Sequence, residues 1–229
     1  TGAVSANTAA TGATITDVVD MTVTTGSGAD TVTVDTTSGN EVSISTGAGN
    51  DTVVINRAVV AASATKVADV LNGGDGTDIL KMNTATVNGH GAVTTITNFE
   101  ELTISDANAN DIVLSNLLDS TAFNTVNAAA GVTTSSDITF TTGSVGTLNI
   151  QAPNAGAYTV QTGGSGTSDE VKLVNEDSAA NAFAGQNVTA TGIETLTVVT
   201  TGSGAATAQT IGTIGGVSTG AANAAATAL

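Results

Sequence analysis

The chain has 229 residues, of which 20 are acidic and four are basic, so its formal net charge is −16. A surface of this sign cannot neutralise a row of phosphates, which excludes nucleic-acid binding, and it is repelled by an anionic membrane. The absence of Cys excludes disulfides, thiolate zinc sites and thiol nucleophiles, and no apolar run reaches the ~18–20 residues that membrane insertion requires.

Residues 1–20 are predicted to be an irregular segment or an incoming coil. From residue 21 onward, short apolar bursts with a period of two predict strands. Turn residues separate the bursts every 10 to 17 positions. This spacing favours the flat faces of a right-handed parallel β-solenoid, with a sandwich of longer strands as the alternative. The first bursts are Val32 with Val34, Val42 with Ile44, and Val53 with Ile55.

A glycine–aspartate turn recurs between these strands. It reads TGSGADTVTV from Thr25, TGAGNDTVVI from Thr46 and GGDGTDILKM from Gly73, with a looser copy, GGSGTSDEVKL, from Gly163. Glycine turns expose backbone carbonyls and the following Asp adds a carboxylate, and such hard oxygen ligands suit Ca²⁺. The pattern is also that of the nonapeptide repeat of Ca²⁺-binding β-helices. Ordinary hairpin turns, in which Gly and Asp are common, are the alternative interpretation.

The spacing predicts where the cation lies. Val32 and Val42 are ten residues apart, and Val42 and Val53 are eleven apart, which places Asp30 and Asp51 on the same edge of adjacent coils. We therefore predict Ca²⁺ between the coils, held by the turns. The candidate metal-binding residues are Gly26, Gly28, Asp30, Gly47, Gly49, Asp51, Gly74, Asp75, Gly76, Asp78 and Asp169.

A second repeat divides the chain into blocks. Residues 99–104 read FEELTI and residues 193–198 read IETLTV, each following a glycine turn. We predict a first solenoid block over 21–105, plain coils over 106–160, a second block over 161–200 and a low-complexity Ala/Thr/Gly tail over 201–229. Within the first block, the stretch from Arg57 to Leu71 fits either a short helix or an irregular loop.

The sequence offers no support for catalysis. Glu100, Glu101 and Glu194 are a conceivable carboxylate set, but duplication separates them along the solenoid, whereas glycosidase carboxylates face each other within ~10 Å. His90 is the only His and lacks partners for a zinc site. No Walker A sequence or Rossmann fingerprint is present. We therefore predict no enzymatic activity and no catalytic residue.

The chain resembles RTX-type surface-layer (S-layer) proteins of Gram-negative bacteria, most closely the Caulobacter type. The resemblance lies in TGSGADTVTV, TGAGNDTVVI, NGGDGTDIL followed by NFEELTI, and the later GIETLTV, and it covers about residues 20–200. It implies a protein that leaves the cell by type I secretion and assembles with identical subunits, in a Ca²⁺-dependent manner, into a two-dimensional lattice on the cell surface. The family anchors to lipopolysaccharide and is exported through separate regions, and neither region is evident in this sequence.

The predicted function is therefore a structural, Ca²⁺-binding segment of a bacterial S-layer. The alternative is a β-solenoid segment of a secreted RTX adhesin that binds glycan, cells or ice. A third interpretation, the RTX tail of a hydrolase, requires a catalytic domain outside this sequence. Because the chain begins at Thr1 without a charged segment and apolar core, we expect a mature or excised piece of a longer protein.

Overall fold

The fold was obtained as a computed structural model, and the chain forms two compact units. The first unit comprises Thr1–Thr103 and Asn116–Phe123, and the second comprises Ile104–Ser115 and Asn124–Leu229. The structure describes residues 2–5, 12–15, 21–35, 41–57, 68–89, 95–108, 110–117, 123–133, 136–141, 145–163, 168–177, 181–200 and 211–217.

The first unit is built from short strands that alternate between two parallel sheets. In chain order the strands are β1 (Gly2–Ser5), β2 (Gly12–Ile15), β3 (Met21–Thr24), β4 (Thr31–Val34), β5 (Val42–Ser45), β6 (Thr52–Ile55), β7 (Val70–Asn72), β8 (Ile79–Met82), β9 (Thr95–Thr97) and β10 (Glu101–Ile104). One sheet has the order β1-β3-β5-β7-β9, and the other contains the order β2-β4-β6-β8-β10. Each pair of consecutive strands therefore completes one coil of a solenoid.

The second unit repeats this arrangement. Its strands are β11 (Ile112–Val113), β12 (Thr125–Ala128), β13 (Ser136–Thr141), β14 (Val145–Ile150), β15 (Tyr158–Gly163), β16 (Glu170–Asn175), β17 (Val188–Thr191), β18 (Thr195–Thr200) and β19 (Ile214–Val217). One sheet has the order β11-β13-β15-β17-β19, and the other contains the order β12-β14-β16-β18. The predicted parallel β-solenoid is confirmed, and the alternative of a sandwich of longer strands is wrong.

The core of the first unit consists of columns of inward side chains in exact register from coil to coil. Val32 pairs with Val53, and Val53 pairs with Leu80. All three side chains are fully buried. Because each residue stacks on its equivalent one coil later, the same residue class must recur at the same place in every coil. The predicted inward residues of β4, β5 and β6 are all buried.

Helical structure is sparse in the described residues. Most of the stretch from Arg57 to Leu71, residues 58–67, lies outside the described residues, and its last residue, Leu71, lies in β7. A short helix that the sequence did not predict, α1, spans Thr84–Gly89. The Asn83 side chain accepts a hydrogen bond from the Thr86 amide at 2.7 Å, which is the geometry of an N-terminal cap. A one-turn 3₁₀ helix spans Leu114–Asn116. No helix in the described ranges is long and apolar enough to cross a membrane.

Candidate metal centre

The three glycine–aspartate turns of the first unit stack directly on one another. Ser27 pairs with Ala48 and Ala48 pairs with Asp75, both in parallel orientation. The Gly28 amide donates to the Ala48 carbonyl at 2.7 Å, and the Asp75 amide donates to the Gly47 carbonyl at 2.8 Å. The turns thus form a narrow ladder of their own at one corner of the coils.

Glycine is required in this ladder because the coils approach closely. Gly49 has a φ of 131°, and a Cβ atom there would lie 2.2 Å from the Gly28 carbonyl oxygen. Gly76 has a φ of 146°, and its Cβ atom would lie 1.8 Å from the Gly49 carbonyl oxygen. Neither the backbone angle nor the space admits another residue. The other predicted turn glycines, Gly26, Gly28, Gly47 and Gly74, lie in the same stacked turns.

Three buried aspartates, Asp30, Asp51 and Asp78, form a continuous column beside these turns. The Asp30 amide donates to Asp51 Oδ1 at 2.7 Å, and the Asp51 amide donates to Asp78 Oδ1 at 2.8 Å. The exposed fractions of the three residues are 2%, 0% and 0% in chain order. Each residue directly precedes a strand of the same sheet, β4, β6 or β8, so the coil geometry brings all three to one corner. We call this set the aspartate column.

The aspartate column contains carboxylate oxygens that no group in the described residues satisfies. Both side-chain oxygens of Asp30, Oδ2 of Asp51 and Oδ2 of Asp78 are buried without a hydrogen-bond partner. An unpaired buried carboxylate is strongly unfavourable unless it is protonated or meets a cation. Carboxylate oxygens beside turn carbonyls are ligands that suit Ca²⁺. The residues of the column therefore fit the predicted ion.

A site here cannot be made of acidic side chains alone. In the described ranges, no group of three or more His, Cys, Asp or Glu side chains is arranged to hold a metal ion. Ca²⁺ usually takes about 6–8 oxygen ligands, which include backbone carbonyls and water. A cation in the aspartate column would therefore draw on the carbonyls of the glycine turns in addition to the carboxylates.

Asp78 is the most electrostatically crowded member of the column. Burial is the largest cause that raises the pKa of its carboxyl group, and the negative charges of Asp51, Glu100 and Asp75 raise it further. The hydrogen bond from the Asp51 amide acts in the opposite direction and lowers the pKa. A bound cation would reverse the electrostatic cost that burial and the neighbouring carboxylates impose.

The column ends on a glutamate that takes the place of a fourth aspartate. Glu100 directly precedes β10, and its Oε2 accepts the Asp78 amide at 2.8 Å. The amides of Glu100 and Glu101 both donate to the Asp78 carbonyl, at 3.2 and 3.1 Å. Glu100 therefore takes part in the hydrogen bonding between coils, in a position against the candidate metal site that the sequence analysis did not predict.

The second unit contains the same arrangement. Glu194 Oε2 accepts the Asp169 amide at 2.8 Å, and the amides of Glu194 and Thr195 donate to the Asp169 carbonyl at 3.0 and 3.1 Å. The Thr162 hydroxyl contacts both Asp169 Oδ2, at 3.0 Å, and the Gly192 carbonyl oxygen. We call Asp78 with Glu100 and Asp169 with Glu194 the two glutamate corners.

The structure separates the predicted acidic residues into three groups. Asp30, Asp51 and Asp78 come together in the aspartate column, as the spacing indicates. Asp75 lies in the stacked turn but its side chain is exposed. Asp169 is buried in the second unit, and residues 164–167 of its turn lie outside the described residues, as does His90. Glu100 and Glu194 are detectable in the sequence as the acidic residue immediately before a strand.

Arg57 forms an ion pair with the buried Asp69 in the connection between β6 and β7. Arg57 Nη2 lies 3.1 Å from both Asp69 Oδ1 and Asp69 Oδ2, and both side chains are buried. The Val42 amide donates to Asp69 Oδ1 at 2.9 Å, the same contact that links members of the aspartate column. At this corner an arginine thus provides the positive charge that the aspartate column lacks.

Comparison with known proteins adds no assignment, since no protein-family model, curated protein or solved structure matches the chain.

Proposed function

We propose that this chain is a Ca²⁺-binding structural segment of a bacterial surface layer, in which a β-solenoid associates with identical subunits at the cell surface. The observation that carries the proposal is the aspartate column, whose buried carboxylates leave oxygens without partners. The fold of each unit belongs to the repeat architectures, in which each coil packs on its neighbours.

Ca²⁺ would be held by the carboxylates of Asp30, Asp51 and Asp78 together with carbonyls of the glycine turns. Its role is electrostatic: the ion supplies the positive charge that buried carboxylates need. Because the ion binds the folded arrangement and not the unfolded chain, its binding free energy adds to stability. At a free Ca²⁺ concentration of about 100 times the Kd, this linkage contributes about 2.7 kcal/mol per site.

The glutamate corners favour a structural role over a catalytic one. Glu100 and Glu194 each accept a hydrogen bond from a backbone amide of the preceding coil. Each glutamate therefore links two coils of its own unit. A general acid or base is instead expected to face a substrate in a cleft. This contact supports the proposal that the chain is not an enzyme.

Self-association is proposed from charge and from the resemblance to S-layer proteins. With a net charge of −16, neighbouring copies repel one another until cations neutralise their surfaces. Contacts between identical copies in a head-to-tail manner extend into open arrays. Secretion and location at the cell surface follow from the resemblance, and attachment to lipopolysaccharide would require regions outside this sequence.

The test combines folding and assembly. In chelator, thermal unfolding followed by circular dichroism should show a lower melting temperature, and the melting temperature should rise again at about 10⁻⁴–10⁻³ M Ca²⁺, the range of extracellular Ca²⁺ modules. Light scattering and electron microscopy should show ordered sheets in Ca²⁺ that dissolve when chelator is added. An unchanged spectrum and melting temperature in chelator would contradict Ca²⁺ binding, and a monomer in millimolar Ca²⁺ would contradict the lattice.

An adhesin segment is the second candidate, and one observation favours it. The outer face of β3 and β5 presents Thr22, Thr24, Ser43 and Ser45, a flat group of hydroxyls without charge. Uncharged hydroxyls of this kind are suited to hydrogen bonding with a glycan. They take no part in the repulsion between acidic copies that Ca²⁺ is proposed to relieve. An adhesin would remain monomeric in Ca²⁺ and would bind an immobilised glycan, whereas a lattice protein would form sheets with Ca²⁺ alone.

A further inference from the structure

The two glutamate corners are alike in their backbone and differ in one side chain. In both corners the glutamate accepts the aspartate amide at 2.8 Å. In both, the residue two positions before the glutamate, Asn98 or Gly192, has a positive φ. The corners can therefore be compared atom by atom.

The difference lies at the residue that faces this positive-φ position. In the second unit it is Thr162, whose hydroxyl reaches both the Gly192 carbonyl oxygen and Asp169 Oδ2. In the first unit it is Gly73, where a Cβ atom would lie 2.0 Å from the Asn98 carbonyl oxygen and 2.8 Å from Asp78 Oδ2. No side chain fits at Gly73, so no hydroxyl can be supplied to Asp78 from that position.

The two aspartates therefore differ in the partners of their Oδ2 atoms. Asp169 Oδ2 lies 3.0 Å from the Thr162 hydroxyl, whose single proton can be donated to it or to the Gly192 carbonyl oxygen. Asp78 Oδ2 is buried without a partner, and the negative charges of Asp51, Asp75 and Glu100 act on Asp78. The Asp78 carboxylate would therefore be stabilised by a cation or by protonation, whereas the Asp169 carboxylate already has a hydroxyl beside it.

We propose that Asp78 and Glu100 form a terminal cation site of the first unit, with Glu100 as a ligand. At the Asp169–Glu194 corner no cation binds, because the Thr162 hydroxyl takes the place of the cation. The proposal rests on the Ca²⁺ binding proposed above and adds a ligand outside the glycine–aspartate turns. A carboxylate has two oxygens, so Glu100 keeps one oxygen for the ion while Oε2 accepts the Asp78 amide. The proposal also removes Asp169 from the predicted ligands.

The test uses the whole chain and a matched pair of variants, Glu100→Gln and Glu194→Gln. Glutamine keeps an oxygen that can accept the aspartate amide, and each substitution removes one negative charge. Calorimetric titration with CaCl₂ should show that E100Q weakens one binding step by at least ~10-fold, the lower end of the loss seen for metal-site partners. E194Q should titrate as the wild type does.

Thr162→Val provides a second measurement that does not depend on a binding isotherm. Valine keeps the shape of threonine but removes the hydroxyl, which leaves Asp169 Oδ2 without this donor. The midpoint of thermal unfolding should therefore fall in chelator and fall less in Ca²⁺, because a cation can now take the place of the hydroxyl. If T162V lost as much in Ca²⁺ as in chelator, the hydroxyl would not be standing in for a cation and the proposal would be wrong.

The outcomes separate this proposal from the one on which it rests. If the wild-type protein bound no Ca²⁺, the proposed function would fail as a whole. If the wild-type protein bound Ca²⁺ but E100Q and E194Q had equal effects or none, only the assignment of Glu100 would be overturned. Circular dichroism in chelator and in Ca²⁺ confirms that each variant retains its β-structure.

Discussion

Asp51→Asn should change stability in opposite directions with and without Ca²⁺. Asp51 is the middle of the aspartate column: its Oδ1 accepts the Asp30 amide, and its own amide donates to Asp78. Asparagine keeps the Oδ1 acceptor and the backbone, so both of these hydrogen bonds persist. The substitution removes the negative charge of the carboxylate, whose second oxygen, Oδ2, is buried without a partner.

The size of each effect follows from that geometry. In chelator, leaving a buried polar atom unsatisfied costs about 1–3 kcal/mol, and more when it is charged, so D51N should be more stable than the wild type by about this amount. In Ca²⁺ at about 100 times the Kd, the wild type gains about 2.7 kcal/mol from each occupied site. D51N should lose most of that gain and become the less stable protein.

Urea denaturation followed by circular dichroism, in chelator and in millimolar Ca²⁺, measures both free energies of unfolding. Asp137→Asn is the matched control, because it removes the same charge from a half-buried position outside the turns and should have a small effect of equal sign in both buffers. If D51N and D137N shifted stability alike in both buffers, overall charge and not the aspartate column would control Ca²⁺ dependence.

Two further substitutions test the scaffold of the site. Gly49→Ala should destabilise the first unit by more than about 1–3 kcal/mol, the cost of a strained backbone alone, because the new Cβ atom would also clash with the Gly28 carbonyl. Gly163→Ala is the control, since a Cβ atom there meets only ordinary contacts of 3.6 Å or more. Equal melting temperatures of the two variants would refute the close approach. Arg57→Met should cost about 3–5 kcal/mol by removing the positive charge beside the buried Asp69 carboxylate. Adding Asp69→Asn should recover much of that loss in urea denaturation, and a double variant as unstable as the single one would contradict the ion pair.

Much of the fold could be predicted because a solenoid stacks equivalent residues on one another. Asp30 and Asp51 are 21 residues apart and lie in contact, as the ten- and eleven-residue steps between apolar bursts indicate. The alternation of Val32 and Val34 with threonines fixes which face of β4 points inward. The predicted block boundaries and the handedness stay predictions.

Less of the candidate site could be predicted, because successive coils differ in length and in the residue that occupies the corner. The Asp51 to Asp78 step is 27 residues and the Asp78 to Glu100 step is 22. These unequal steps hide the position that Glu100 shares with the aspartates. A motif that requires aspartate after a glycine turn cannot find a glutamate that follows Asn98 and Phe99.

The sequence by itself determined the short parallel coils and the aspartate column, since both depend on residue types that repeat along the chain. The tertiary structure alone decided which carboxylates have partners. Thr162 lies against Asp169 across seven residues, and Arg57 satisfies Asp69 across twelve, whereas Asp78 Oδ2 faces Gly73 and has no donor among the described residues. Satisfaction of a buried charge depends on which atoms meet in space, and neither spacing nor composition records that.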